Sequence, residues 1–308
     1  MKSVILLLII VLFVFTAGAQ PKRIINASEG ADEIRRPLPV SKVTALTENI
    51  PPEIIELNNT ALQEVLAGRI QEAIKAFRQV VSKAPHLVQG HINLGISLDF
   101  NNQSDEALEV IRNLIVLKPD CALAYALLGE MLYKKGSIAE SIQNLRKGLE
   151  LNPTDAVTAN SLGTSLYAAG NYKEALKYFD QGIKLDAGFA SLHNNRGSAL
   201  LGLGKTAEAV KSFRLAIDCD PVFAEAYNNL GVAFHQLKKK TDARQAFLKA
   251  LDLRPDWGQA VYNLALSYVE TGERASAQKM LNRLTGMDDA LAVKLKEKLW
   301  GKFVVKVD

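Results

Sequence analysis

The chain has 308 residues, 48% of them hydrophobic, 23% charged and 7% aromatic, enough to bury a substantial core in one or two domains. Lys and Arg exceed Asp and Glu by only four, 37 against 33, which excludes the dense basic surface of a nucleic-acid binder. Two cysteines and four histidines exclude a disulfide scaffold and a zinc ribbon.

At the N-terminus, Lys2 precedes an apolar run from Val4 to Phe15, followed by Thr16-Ala17-Gly18-Ala19. A basic start, an apolar stretch and a small-x-small end predict a signal peptide over residues 1–19, cleaved to leave Gln20 first. The apolar run is short of the ~20 residues that span a bilayer, and Lys22 and Arg23 oppose the orientation of an uncleaved anchor. The expected location is therefore exported, periplasmic or secreted, with no stable membrane span after cleavage; anchoring by an uncleaved N-terminal segment is the alternative. Residues 20–53 carry Pro21, Pro37, Pro39, Pro51 and Pro52 and no aromatic residue. Such a stretch cannot bury enough apolar surface to offset chain ordering, and it is expected to be a flexible linker.

From residue 54 the chain repeats with a period of 34. Pro85, Pro119, Pro153, Pro221 and Pro255 lie on one comb, with Ala187 in the missing place. Small residues form a second comb: Ala61, Gly95, Gly129, Gly163, Gly197, Gly231 and Ala265. A third, Ala73 to Ala277, is followed four residues later by Phe77, Ile111, Leu145, Phe179, Phe213, Phe247 and Leu281. Gly68, Gly136, Gly170, Gly204 and Gly272 fall between the two small combs. Apolar residues at helical spacing around each first small position predict a helix that another helix approaches closely. The intermediate glycine then supplies a turn, and the proline ends a second helix. Seven helical hairpins result, at 54–87, 88–121, 122–155, 156–189, 190–223, 224–257 and 258–291. Beyond them, Asp288-Asp289 can cap a helix from Ala290 to Trp300, whose Leu291, Leu295 and Leu299 would cover the open end. Residues 290–308 are thus a capping helix and tail. Cys121 and Cys219 fall about three repeats apart, too far to pair, and are expected as two largely buried thiols.

This pattern resembles the tetratricopeptide repeat family over about three quarters of the chain. The resemblance implies an all-α fold, a right-handed superhelical solenoid of helix-turn-helix repeats with a concave groove lined by the first helices.

Catalytic motifs are weak. Ala199 to Thr206 imitates a phosphate-binding loop, but Ala199 replaces the required glycine and a helix precedes it. His86 and His91 are five apart rather than four, so zinc-protease chemistry is unsupported. No Ser or Cys has a nucleophile-elbow context. No cofactor, no metal and no catalytic residue is expected.

Two residues before the first small comb come Asn59, Asn93, Asn195, Asn229 and Asn263, with Leu127 and Ser161 in the third and fourth units. One position earlier stand Asn58, Asn160, Asn194 and Asn228. Asparagine is a poor helix former, so its recurrence inside helices asks for a reason. The row is similar to the asparagine ladder of the O-GlcNAc transferase repeats, which implies amides that hold the backbone of an extended peptide. An alternative is that these amides bond within and between repeats. Phe100, Tyr133, Tyr167 and Tyr262 would line the same groove, and His235 lies there as a groove contact. A clamp for a C-terminal carboxylate needs further Lys and Arg in the groove, and only Arg196 is near. The expected function is a non-catalytic scaffold or adaptor of the cell envelope that binds a protein or peptide partner. A structural assembly factor of a secretion or pilus-type machine, using convex and end surfaces, is the alternative.

Overall fold

The computed structural model describes residues 23–27, 31–35 and 50–300. The expected signal segment 1–19 and the tail from 301 lie outside the described residues. The stretch read as a flexible linker carries a local pairing: β1 (Arg23–Ala27) runs antiparallel to β2 (Ala31–Arg35), with Ile25 opposite Glu33. Ile24, Ile25 and Ile34 are strand formers, a local preference that acts between the prolines at 21 and 37.

From Pro52 onward the described chain is helical. Its hairpins are α1 (Pro52–Leu66) with α2 (Ile70–Lys83), α3 (Val88–Phe100) with α4 (Ser104–Leu117), α5 (Ala122–Lys134) with α6 (Ile138–Leu151), and α7 (Ala156–Ala168) with α8 (Tyr172–Leu185). Then follow α9 (Ala190–Gly202) with α10 (Thr206–Cys219), α11 (Ala224–Gln236) with α12 (Lys240–Leu253), and α13 (Gly258–Glu270) with α14 (Arg274–Leu284). A last helix, α15, covers Asp289–Trp300. The expected all-α repeat solenoid fold is what these elements form.

The combs have steric causes. A Cβ built on Gly163 would lie 2.5 Å from the Phe179 ring, and one on Gly231 would lie 2.5 Å from Phe247. Three first helices, at Gly163, Gly197 and Gly231, therefore give up a side chain, at about 1 kcal/mol of helix propensity, so that the ring of Phe179, Phe213 or Phe247 can sit against bare backbone. Phe179 is fully enclosed and Phe247 nearly so, and burying such a ring returns about 1.5–3 kcal/mol. Each turn from first to second helix takes a left-handed residue: glycine at five places, Asn102 and Lys238 at φ 60°.

The chain divides into two compact units, Met1–Ala187 and Gly188–Asp308. The boundary falls where Ala187 stands in the place of the comb proline. In the first unit, one buried cluster runs from Ala61 and Phe77 through Leu98 and Ile111 to Leu127 and Leu132. On its outer side Arg78 pairs with Glu106 at 2.6 Å, Arg112 with Glu140 at 3.4 Å and Arg146 with Glu174 at 2.6 Å, all between second helices. In the second unit, Phe213, Phe223 and Phe247 build the core. There α15 packs on α13 and α14, burying Ala292 and Leu295 while Leu291 and Leu299 remain half-buried. Asp288 accepts from the Leu291 amide at 3.0 Å at the start of this helix. Among the described residues no helix is long and apolar enough to cross a membrane.

Neither cysteine is in a disulfide. Cys121 is half-buried, and burial pushes its thiol up from the ordinary value. Cys219, expected to be buried, is exposed instead, because it closes the last turn of α10 on the outward side.

Candidate functional site

First helices of successive hairpins touch each other within each unit, α9 with α11 and α11 with α13 in the second. Side chains on neighbouring first helices meet with a spacing of 35 residues, one more than the repeat. That register joins the two predicted asparagine rows. Asn263 Nδ2 donates to Asn228 Oδ1 at 2.9 Å, and Asn229 Nδ2 donates to Asn194 Oδ1 at 3.0 Å. Within each helix the inner amide passes the bond outward: Asn228 Nδ2 to Asn229 Oδ1 at 3.4 Å, and Asn194 Nδ2 to Asn195 Oδ1 at 3.3 Å. Gln259 Nε2 donates to Asn263 Oδ1 at 3.1 Å and begins the series. Six amides of the second unit thus form one directional relay, from Gln259 to Asn195.

Burial separates the predicted residues into two groups. Asn194 and Asn228 are each 5% exposed, so they are rungs of the relay rather than open contact points. Asn195, Asn229 and Asn263 are half-buried and present their outer edges. Asn229 and Asn263 each use one N–H and one oxygen lone pair inside the relay. An amide has two of each, so one donor and one acceptor remain on the outer side.

The first unit repeats this only at its start. Asn93, 2% exposed, donates to Asn58 Oδ1 at 3.0 Å and accepts from Gln89 at 2.7 Å. Asn59 is half-buried and its Oδ1 is enclosed without a hydrogen-bond partner. On α7 every residue from Val157 to Leu166 is buried, Asn160 fully. Asn160 is therefore held inside the fold, as is Ser161, whose Oγ donates to the buried Glu130 at 2.7 Å.

Phe100, Tyr133 and Tyr167 lie in the last turns of their first helices. Tyr133 is half-buried and Tyr167 exposed, and Tyr167 lies 5.3 Å from the Tyr172 ring at an interplanar angle of 51°. Burial pushes the Tyr167 hydroxyl above its ordinary value, with Tyr172 and Tyr133 adding to the effect. Tyr262 is half-buried on α13 and Phe100 half-buried at the end of α3. His235 is half-buried, and its Nε2 sits 2.7 Å from Glu270 Oε2, again across 35 residues. Glu270, Tyr172, Gln89 and Gln259 escaped the sequence reading. The two glutamines were findable, since each lies four residues before a predicted asparagine, one helical turn away.

The phosphate-loop imitation is a turn between α9 and α10: Gly204 has φ +73° and Lys205 pairs with Glu208 at 3.3 Å. Arg196 Nη1 donates to the buried Ser212 Oγ at 2.7 Å. Among the described residues no cluster of three or more His, Cys, Asp or Glu could hold a metal ion.

Solved structures with similar folds include a chain of the APC/C hetero-tetramer Cut9–Hcn1, with a TM-score of 0.62 and 17% identity over 73% of this chain. The match covers 44% of that protein, so the present chain spans less than half of its length. PilF of Pseudomonas aeruginosa matches with a TM-score of 0.60 and 16% identity, over 68% of this chain and 97% of its own. YrrB, described as a TPR protein with an unusual peptide-binding site, matches with a TM-score of 0.50 and 24% identity, over 61% of this chain and 97% of its own. No curated protein matches the sequence. Models of the tetratricopeptide repeat match residues 92–156, 160–222, 224–256 and 259–286, more than half of the chain, and with the helical hairpins described above they show that the chain belongs to the tetratricopeptide repeat family.

Proposed function

We propose that this protein is a non-catalytic interaction scaffold that binds an extended segment of a protein partner along the first helices of its second unit. The observation that carries this reading is the relay, which fixes Asn195, Asn229 and Asn263 in one orientation. It leaves Asn229 and Asn263 each a donor and an acceptor pointing outward. Neighbouring helices are about 8–10 Å apart, and an extended chain rises about 3.3 Å per residue. The amides would therefore meet a peptide bond at roughly every third residue of the bound segment. Amides grip any peptide backbone, so preference among partners falls to Tyr262 and His235 beside the row. Preset amides also lower the ordering cost of binding.

Polar groups that could serve chemistry elsewhere are engaged in structure: Ser141 with Ser165 at 2.9 Å, Ser161 with Glu130, and Ser212 with Arg196. The signal segment at 1–19 supports export and a role in the cell envelope. Edman sequencing of protein recovered from an envelope fraction tests that point, and a chain starting at Met1 in the cytosol would overturn it. The groove is tested by crosslinking and mass spectrometry on protein from the same fraction, followed by titration of the recovered partner segment. Replacing Asn195, Asn229 and Asn263 together by Ala is expected to weaken binding at least tenfold, since three peptide contacts of about 0.5–1.5 kcal/mol are lost. Unchanged affinity removes the row from the account.

A further inference from the structure

The outer side of the first unit carries a repeated ion pair, Arg78–Glu106, Arg112–Glu140 and Arg146–Glu174, each spanning 28 residues. Asp180 interrupts the arginine series, and Arg214 resumes it in the second unit with Asp242 in the place of the acid. Asp242 is one methylene shorter than the glutamates, and no bond joins it to Arg214. Arg214 lies instead over the Phe234 ring at 5.7 Å, and Lys239 lies over the same ring at 6.0 Å. Beside them Lys238 occupies the left-handed turn position, φ 60°, where five other repeats have glycine. A lysine there holds a backbone conformation that glycine adopts freely and residues with a Cβ avoid. Among the described residues no carboxylate is bonded to Arg214, Lys238 or Lys239. Two cations thus share one ring, and the residue next to one of them in sequence, Lys238, is kept against the preference of its turn.

We propose that Arg214, Lys238 and Lys239 form a docking point, separate from the asparagine row, for a short acidic segment of a partner protein. The guanidinium fork matches a carboxylate, and the ring fixes the positions of two of the cations. Asp242 and Glu208 are exposed, and Glu208 is paired with Lys205 at 3.3 Å. Three cations are too few for the long, densely charged edge of a nucleic acid or an anionic bilayer and match a short run of Asp or Glu.

The test is fluorescence anisotropy of a labelled octa-glutamate peptide with the intact protein at low salt. Lys238→Gly and Arg214→Ala are each expected to weaken binding about threefold, as for a partly exposed charge contact. Lys249→Ala, which removes one exposed charge from the outer side of α12, is expected to leave it unchanged. Lys238→Gly should also raise the thermal midpoint by about 2–4 °C, because it relieves the turn. The asparagine triple variant should bind the peptide like the wild type, which separates this docking point from the groove. The proposal is overturned by absence of binding, or by equal loss in Lys249→Ala. It is also overturned by tighter binding to phosphatidylserine vesicles or oligo-dT than to the peptide, or by a Lys238→Gly midpoint below that of the wild type.

Discussion

Asn263 and Asn228 lie in neighbouring repeats, 35 residues apart, and are joined by a side-chain hydrogen bond of 2.9 Å from Nδ2 to Oδ1. Asn228 is nearly enclosed while Asn263 is open on its outer edge. The inner residue therefore acts as a fixture and the outer one as a presented group. One residue type serves two purposes because an amide can donate inward and still accept outward.

Asn228→Ala should therefore cost stability rather than merely contact. It removes the acceptor of Asn263 and the donor to Asn229 in a buried setting, which costs about 1–3 kcal/mol. Asn229→Ala, at a half-exposed position, should cost less than about 1 kcal/mol while weakening partner binding. Urea titration followed by helical circular dichroism compares the two. A neutral Asn228→Ala would show that the relay contributes nothing to the fold.

Gly231→Ala should be poorly tolerated, since the new methyl would sit 2.5 Å from the Phe247 ring. Overpacking of this kind costs about 1–3 kcal/mol. Adding Phe247→Leu should recover part of the loss by making room. Hydrogen exchange of α11 and α12 amides reads the effect locally, which matters in repeat arrays that need not unfold in one step. Equal exchange in wild type and Gly231→Ala would mean that the helices separate at no cost.

Much of this was legible in the sequence, because repetition turns weak local signals into a strong one. Gly163 alone says little, but Gly163 and Phe179 recurring at 34-residue steps specify where two helices close on each other. The candidate surface was harder to read. Asn194 and Asn195 are neighbours in sequence and look alike, yet one is buried and the other half-exposed. Which is which depends on the 35-residue register between helices, a property of packing rather than of either helix. The pairing of β1 with β2 was hidden for a different reason. Prolines dominate residues 20–53, and two five-residue isoleucine-bearing segments carry too short a pattern to outweigh them.

The two cysteines should differ in reactivity. Cys219 is exposed, whereas Cys121 is half-buried with its thiol pushed up by burial. Only the thiolate is nucleophilic, so at any given pH Cys121 has less reactive form than an ordinary thiol, and its burial also limits access. Iodoacetamide labelling followed by peptide mass mapping should modify Cys219 first at pH about 8. Faster labelling of Cys121 would contradict its burial.

Glu273 is held below the ordinary carboxylate value, first by the Thr271 hydroxyl and then by Arg244. Arg244 also pairs with it at 2.6 Å and stacks on Tyr268 at 4.6 Å. A depressed carboxylate stabilises the folded state above its unfolded value and loses that contribution as pH falls through the lower folded value. The window therefore lies on the acid side of the ordinary glutamate value of 4.5. Thr271→Val should move the Glu273 titration, followed by carboxylate NMR, back toward that value. It should also narrow the difference in stability between neutral and acid solution. A titration that does not move would assign the whole effect to Arg244.

The last helix has a consequence for how such an array can grow. α15 lies on α13 and α14 and turns Lys294, Lys296 and Lys298 toward water. Another hairpin added after Leu284 would find its berth already taken, and two molecules could not stack head to tail through that face without first peeling α15 away. Lengthening by duplication is thereby steered to interior repeats, where each new hairpin inherits a matching neighbour on both sides.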